Sequence, residues 1–326
     1  LPTWNISGAW NIDNEEFFEK QDILSRATLR STYGLTASMG PATNASLILN
    51  NQSTKRPFLR DIETALVIGG LKNSELTWEK QLETNIGFDL GFLKDRLSLT
   101  VDLYKRNGYD LIGAVRTSGI GGQYIKYANY ADMKSKGIEV TTAAQILNGA
   151  GLKWRTQLNF GYHKGKITKL ESVPLVWSLI SPGGDALEGY PQRGLFSVQF
   201  DGLNPQTGIP TFVGVNGERQ VTNVYLQDDN IGHLKYEGPT DPLMNGGFFN
   251  SFLYKNFSLS TLLTFSAGNK IRLNPAFSAN YNDLSSMSND FVGRWMQTGD
   301  ELKTNIPSIA DRFVYSNLGS DYPYNV

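Results

Sequence analysis

Residues 76–92, LTWEKQLETNIGFDLGF, alternate in a way that constrains the fold more than any other feature of the chain. Leu76, Trp78, Lys80, Leu82, Thr84, Ile86, Phe88, Leu90 and Phe92 hold even positions, with Lys80 near the rim, whereas Thr77, Glu79, Gln81, Glu83, Asn85, Gly87, Asp89 and Gly91 hold odd ones. Successive side chains of a strand point to opposite faces. One face of this segment is therefore apolar and the other polar, over seventeen residues. Ordinary strands run about 5–6 residues, so a run of this length fits a barrel wall better than a globular sandwich.

The pattern recurs. After Lys94-Asp95-Arg96, Leu97, Leu99, Val101 and Leu103 alternate with Ser98, Thr100 and Asp102. Ile138, Val140, Thr142, Ala144 and Ile146 lead to a turn at 148–151, and Leu152, Trp154, Thr156, Leu158, Phe160 and Tyr162 follow it. Phe257, Leu259, Thr261, Leu263, Phe265 and Ala267 come after a turn at Lys255-Asn256. Weaker alternation marks strands at 4–12 and 23–33, and another pair at 196–200 and 209–215 around a turn at 204–208. The pattern predicts an all-β fold of five antiparallel hairpins, about ten strands in all.

Connection lengths add direction. Short turns fall near 13–22, 94–96, 148–151, 204–208 and 255–256; long connections fall near 36–75, 107–135, 166–192, 216–242 and 269–310. Short and long alternate throughout. Bacterial outer-membrane barrels have this asymmetry, with short periplasmic turns and long extracellular loops. No run of eighteen apolar residues exists, so no transmembrane helix is expected. Barrel strands escape that test because only every second residue is apolar.

The apolar band of such a barrel is about 25 Å tall. A tilted strand gains roughly 2.5 Å of height per residue, so the ten steps from Leu82 to Phe92 cross the band. Leu82, Ile86, Phe88, Leu90, Leu99, Val101, Leu158, Phe160, Leu259 and Leu263 are accordingly expected to face lipid. Trp78 and Trp154 are expected at the interfaces, where amphipathic rings belong. Phe88 falls near the middle of the band and Asp89 points into the wet lumen.

Several segments together resemble the SusC/RagA branch of TonB-dependent outer-membrane transporters. They are LPTWNISGAWNI with the trailing EEFF (1–18), LRSTYGLTASMG (29–40), LTWEKQLETNIGFDLGFLKDRLSLTVDLYKRNGYDLI (76–112), KSKGIEVT (134–141), FDGLNPQTGIPTF (200–212), MNGGFFNSFLYKNFSLSTLLTFSAGNKI (244–271) and FVGRWMQTGD (291–300). They recur in order along nearly the whole chain. The resemblance implies a 22-stranded barrel with an N-terminal plug, active import driven by TonB, and a SusD-like surface lipoprotein that caps the barrel. The implied substrate is an oligosaccharide or a peptide. Against that pattern, residues 1–326 are expected to form one partial barrel domain, an interior stretch of wall. The plug, through which TonB would act, and the last strands lie outside it, since the ending DYPYNV lacks a closing strand's terminal aromatic.

Charge and composition narrow the chemistry. Lys plus Arg is 30 and Asp plus Glu 31, a net charge of −1, which gives no basic excess for nucleic acid. Cysteine is absent and the two histidines, His163 and His233, are seventy positions apart, so thiolate or histidine-rich metal centres are not expected. Neither a G-x-S-x-G elbow nor H-E-x-x-H occurs, and no catalytic residue or cofactor is assigned. GIGG at 119–122 lacks a phosphate-binding spacing, and Asp228, Asp229 and Asp241 match no calcium loop. Tyr124, Tyr127 and Tyr130 recur every third residue beside Lys126, Asn129 and Asp132, with Trp177 and Tyr190 in the next long connection. These five aromatics are the candidate substrate contacts, since each offers an apolar ring and a polar handle; packing of the loops or contact with a partner is the alternative role. The competing function is a soluble all-β carbohydrate-active enzyme or carbohydrate-binding module. A passive porin or adhesin would differ only in lacking plug and partners.

Overall fold

The computed structural model describes residues 2–18, 23–40, 45–55, 58, 62–120, 123–149, 151–222, 224, 226–273, 286 and 288–309. Its strands are β1 (Trp4–Asn11), β2 (Leu24–Ser38), β3 (Ile48–Lys55), β4 (Ile62–Gly70), β5 (Glu79–Phe92), β6 (Leu97–Arg116) and β7 (Ile125–Asn148). They continue with β8 (Leu152–Leu170), β9 (Gly194–Val198), β10 (Phe200–Leu203), β11 (Pro210–Phe212), β12 (Leu234–Pro239), β13 (Met244–Tyr254) and β14 (Phe257–Ala267). A single turn of helix, α1 (Val176–Leu179), precedes β9.

Eight strands form one antiparallel sheet in the order β1-β2-β5-β6-β7-β8-β13-β14. Every neighbour is antiparallel, so the short connections β1–β2, β5–β6, β7–β8 and β13–β14 all lie at one end. The β5–β6 turn holds Leu93, Lys94 and Asp95 at φ of 54°, 59° and 61°, and Lys255 sits at 51° in the two-residue β13–β14 turn. Turn geometry fixes the register of each hairpin. Part of the first turn, 19–22, and Ala150 of the third lie outside the described residues.

The registers carry the sequence alternation across the whole sheet. One row runs Trp10, Leu29, Phe88, Val101, Val140, Phe160, Gly246, Phe265. The next runs Gly8, Ser31, Ile86, Leu103, Ile138, Tyr162, Met244, Ala267. Both belong to an apolar face on which large side chains stay exposed: Phe88 keeps 39% of its surface and Leu263 67%. Interleaved rows are polar, such as Asn11, Thr28, Asp89, Thr100, Thr141, Asn159, Gly247, Thr264. The ten residues expected to face lipid all lie on the apolar face. Trp154 is on it near the short turns, stacked on Phe252 at 5.4 Å, and Trp78 lies exposed one residue before β5, at the other end.

The other end carries the long connections, and three expectations about the connecting segments change. β6 and β7 run on to Arg116 and back from Ile125, so the stretch expected as a loop at 107–135 is mostly strand and its connection is 117–124. Its turn-like residues sit instead at register shifts near Leu111, where Asp110 takes φ 55°. The connection near 36–75 contains the separate hairpin β3–β4. Finally, 196–200 and 209–215 are not a hairpin of the large sheet: β10 pairs with β11, and β9 with β12, as two-stranded sheets. The large sheet thus has eight strands where alternation suggests about ten.

Those small sheets belong to a second compact unit, 173–242 with the described residues from 268 onward, whereas the large sheet lies in the first. Val176, Ile180, Val198 and Phe212 form its core, with Phe200, Leu226 and Leu234 packed against them. The buried His233 ring lies in this unit; its Nδ1 has no hydrogen-bond partner, and desolvation holds its pKa below the ordinary value. A depressed histidine pKa means that the unfolded chain takes up the proton more readily, so stability falls as pH drops through about 6.5. Thermal unfolding of this unit followed from pH 7.5 to pH 5 should show that loss, and His233→Phe should flatten it.

Candidate functional site

The polar face of the sheet holds the densest chemistry, organised by glycines between charged partners. Arg30 on β2 donates from Nε to Asp89 Oδ2 on β5 at 2.6 Å, and its Nη2 reaches Asp102 Oδ1 on β6 at 3.2 Å. Thr100 Oγ1 donates to Asp89 Oδ1 at 2.9 Å. Gly87 stands between Arg30 and Asp102 in the same cross-strand row. A Cβ there would lie 2.7 Å from both Arg30 Nη2 and Asp102 Oδ1, so the missing side chain lets the guanidinium reach over β5.

The same device recurs two strands on. Arg106 grips Glu83 with Nε to Oε2 at 2.9 Å and Nη2 to Oε1 at 3.3 Å, and its guanidinium lies 4.3 Å above the Tyr104 ring centroid. Tyr104 Oη and His163 Nδ1 are 3.1 Å apart across Gly137, where a Cβ would meet the tyrosine oxygen. Beside this pair a groove of about 740 Å³ opens over β7, β8, β13 and β14. Glu139, Thr141, Asn159, His163, Asn245 and Thr264 supply its polar lining, and Gly161 and Gly247 leave room at its floor. Such a surface offers hydrogen bonds of both signs and two ring faces, which suits a polar solute with hydroxyl or amide groups.

The aromatic residues singled out by spacing do not converge. Tyr127 and Tyr130 lie on β7 rather than in a loop. An interval of three places them on opposite faces: Tyr127 pairs with Ala114, whereas the Tyr130 ring covers Gly113 from the other side. Tyr124 is exposed just before the strand. Asn129 clasps Thr77 through two hydrogen bonds of 2.8 Å, and Asp132 Oδ1 accepts from the Asp110 N–H, so both serve the strand bend. Trp177 on α1 is exposed in the second unit, and Tyr190 packs there between Phe196 and Tyr236 at 5.1 and 4.8 Å. Lys80 pairs with Asp110 at 2.5 Å, and Asp241 with Arg193 at 2.8 Å. Gly121 and Gly122 of the GIGG segment lie outside the described residues.

The sequence alone assigns no role to Arg30, Asp102, Arg106 or Glu139, which all lie on the polar face of the sheet. The signal was an inward glycine aligned between charges, which emerges only once strands are paired in register.

Long antiparallel strands with one exposed apolar face, one charged face and all short turns at one end define the wall of a transmembrane β-barrel. The sequence profile described as "TonB dependent receptor-like, beta-barrel" matches residues 28–195, and the chain belongs to that family of outer-membrane proteins. TonB-dependent receptor P3 of Formosa agariphila is 23% identical, over 97% of this chain and 33% of its own length. TonB-dependent receptor SusC of Bacteroides thetaiotaomicron is 26% identical, over 58% of this chain and 18% of its own. The solved structure of the RagAB peptide transporter superposes with a TM-score of 0.73 at 24% identity, over 95% of this chain and 34% of that one. The chain therefore spans about a third of the length of the long relatives it matches. These relatives are receptors and transporters rather than enzymes.

Asp89→Ala removes one of two carboxylates on Arg30 and should cost about 1 kcal/mol, discounted because the pair is partly solvated. Arg30→Met leaves Asp89 and Asp102 facing each other without their shared cation and should cost more. Urea midpoints of the two variants in detergent check the order.

Proposed function

We propose that this chain is part of the wall of a SusC/RagA-like active importer, which takes up an oligosaccharide or a peptide across the outer membrane. The observation that carries this reading is the contrast between the two faces of the eight-stranded sheet. The apolar face, with Ile86, Phe88, Leu103, Leu158 and Leu263 exposed, is the lipid contact. The opposite face, with its arginine–carboxylate network and groove, lines the wet passage. A soluble enzyme or binding module would need a second layer on the apolar face, since a patch of that size in water invites aggregation.

On this reading the short turns face the periplasm and the long connections face outside. The plug and the remaining strands come from other parts of the protein. TonB drives import through the plug, and a SusD-like lipoprotein caps the outer end. Tyr124 and Trp177 are exposed on long connections or beside them and remain the aromatic candidates for substrate or lid contact. Tyr127 is half exposed on β7, the Tyr130 ring covers Gly113 on the opposite face, and Tyr190 packs between Phe196 and Tyr236. The RagAB relative is described as a peptide transporter and the other relative bears the name SusC, so both polar nutrient classes enter the test.

Filling the groove tests the passage. Thr141→Trp with Asn159→Trp in the full-length protein should lower uptake of labelled oligosaccharides or peptides severalfold while barrel assembly is retained. Undiminished uptake would refute this route. The lipid contact has its own test: Phe88→Arg should cost about 2–4 kcal/mol near the bilayer midplane, because hydrocarbon cannot solvate a guanidinium. Folding equilibria in vesicles measure it.

A further inference from the structure

The apolar face ends abruptly, and what ends it is lysine. On β6 the run Leu97, Leu99, Val101, Leu103 is followed by Lys105; on β8 the run Trp154 to Tyr162 is followed by Lys164 and Lys166. On β7 Lys134 and Lys136 precede Ile138. The registers align them. Lys105, Lys136 and Lys164 are consecutive cross-strand partners, and Lys134 pairs with Lys166 in the next row. All five are exposed and lie on the apolar face's side of their strands, toward the long connections.

Three properties set this patch apart from an ordinary solvated surface. Like charges directly opposite one another on a sheet repel. Among the described residues, none of the five has an ion-pair partner within 4.0 Å, whereas the arginines of the polar face are closely paired. Lysines that guard a sheet edge against aggregation are common, but β6, β7 and β8 are interior strands. Among the described residues the repulsion thus has no compensating ion pair.

The height of the patch supplies the compensation. Trp154 to Lys164 is ten steps along β8, about 25 Å of rise in a tilted strand, which matches the hydrocarbon thickness of a barrel's apolar band. The lysines stand where the headgroups of one leaflet begin. Their stems can lie along the apolar surface while the ammonium groups reach outward. We infer that these five lysines form a docking surface for the phosphate groups of phosphorylated lipids in the leaflet nearest the long connections. The inference rests on the barrel-wall reading of the apolar face.

The test uses full-length protein purified in neutral detergent and titrated with lipid A, which carries phosphates, with the same lipid stripped of phosphate, and with inorganic phosphate. Thermal stability and lipid phosphorus bound per protein are the readouts. Each lysine near an anionic surface is worth about fivefold in affinity, from ~1 kcal/mol. Phosphorylated lipid should raise the melting temperature saturably and less so at high salt; stripped lipid and inorganic phosphate should not. The triple variant Lys105→Gln, Lys136→Gln, Lys164→Gln should bind at least about tenfold more weakly, and the Lys→Arg triple should bind like the parent. If the glutamine triple does not assemble, Lys136→Gln alone, at the centre of the row, should still lose about threefold to fivefold. Equal response to stripped lipid, an equal effect of inorganic phosphate, or unchanged affinity in the glutamine variants would overturn the inference. A protein that stays membrane-embedded but ignores the phosphate refutes this inference alone, whereas one that remains dispersed without detergent refutes the wall itself.

Discussion

Strand register is the constraint on which everything else in this chain depends. Side chains alternate with a period of two, so a slip of one residue would turn every apolar side chain to the polar face. Across the eight-stranded sheet the pairing of β5 with β6 and of β13 with its two neighbours runs without a shift, and the shifts of β6 with β7 and β7 with β8 fall outside the central rows. Rows such as Phe88–Val101–Val140–Phe160 are therefore continuous from strand to strand. Each cross-strand pair contributes only about 0.2–1 kcal/mol. It is the repetition of the same choice over eight strands that makes alternative registers costly.

The polar face obeys the same geometry and adds a refinement. Its glycines occupy inward positions between strands whose charged or hydroxylated side chains lean toward one another. Gly87 lets Arg30 serve Asp89 and Asp102 together, and Gly137 lets Tyr104 reach His163. A glycine within a strand is unfavourable by itself. Here it gives up local stability to create a network on the polar side that ties three strands together. The outcome is a wall with two solvents, one face suited to hydrocarbon and the other to water and polar solutes.

Much of this was legible in the sequence. Alternation located β1, β2, β5 to β8 and β14, with β13 implied only as the partner before the turn at 255–256, because a buried or lipid-exposed face imposes period two on composition directly. Short turns were legible for the same reason, as polar or glycine-containing breaks in that period. What failed was everything that depends on partners. Phe196, Val198 and Phe200 alternate as any strand does, and nothing local says that β9 will pair with β12 instead of joining the large sheet. The stretch 107–135 reads as loop because Asn107, Gly108, Asp110 and Gly113 resemble turn residues, yet they accommodate register shifts within two long strands. The spacing of the tyrosines meant something different once it lay on a strand: with a period of two, an interval of three divides Tyr127 and Tyr130 between faces. The paired charges around Gly87 and the lysine rows become visible only after pairing.

The central claim is that one face of β5 meets hydrocarbon while the other meets water, and site-directed spin labelling tests it most directly. The 326 residues contain no cysteine, so single cysteines at positions 85, 86, 88, 89 and 90 can carry the label in lipid vesicles. Collision with dissolved oxygen reports lipid exposure and collision with a water-soluble nickel chelate reports aqueous exposure. The account predicts strong oxygen access at 86, 88 and 90 and strong nickel access at 85 and 89, alternating residue by residue. Equal access to one reagent at odd and even positions would contradict it.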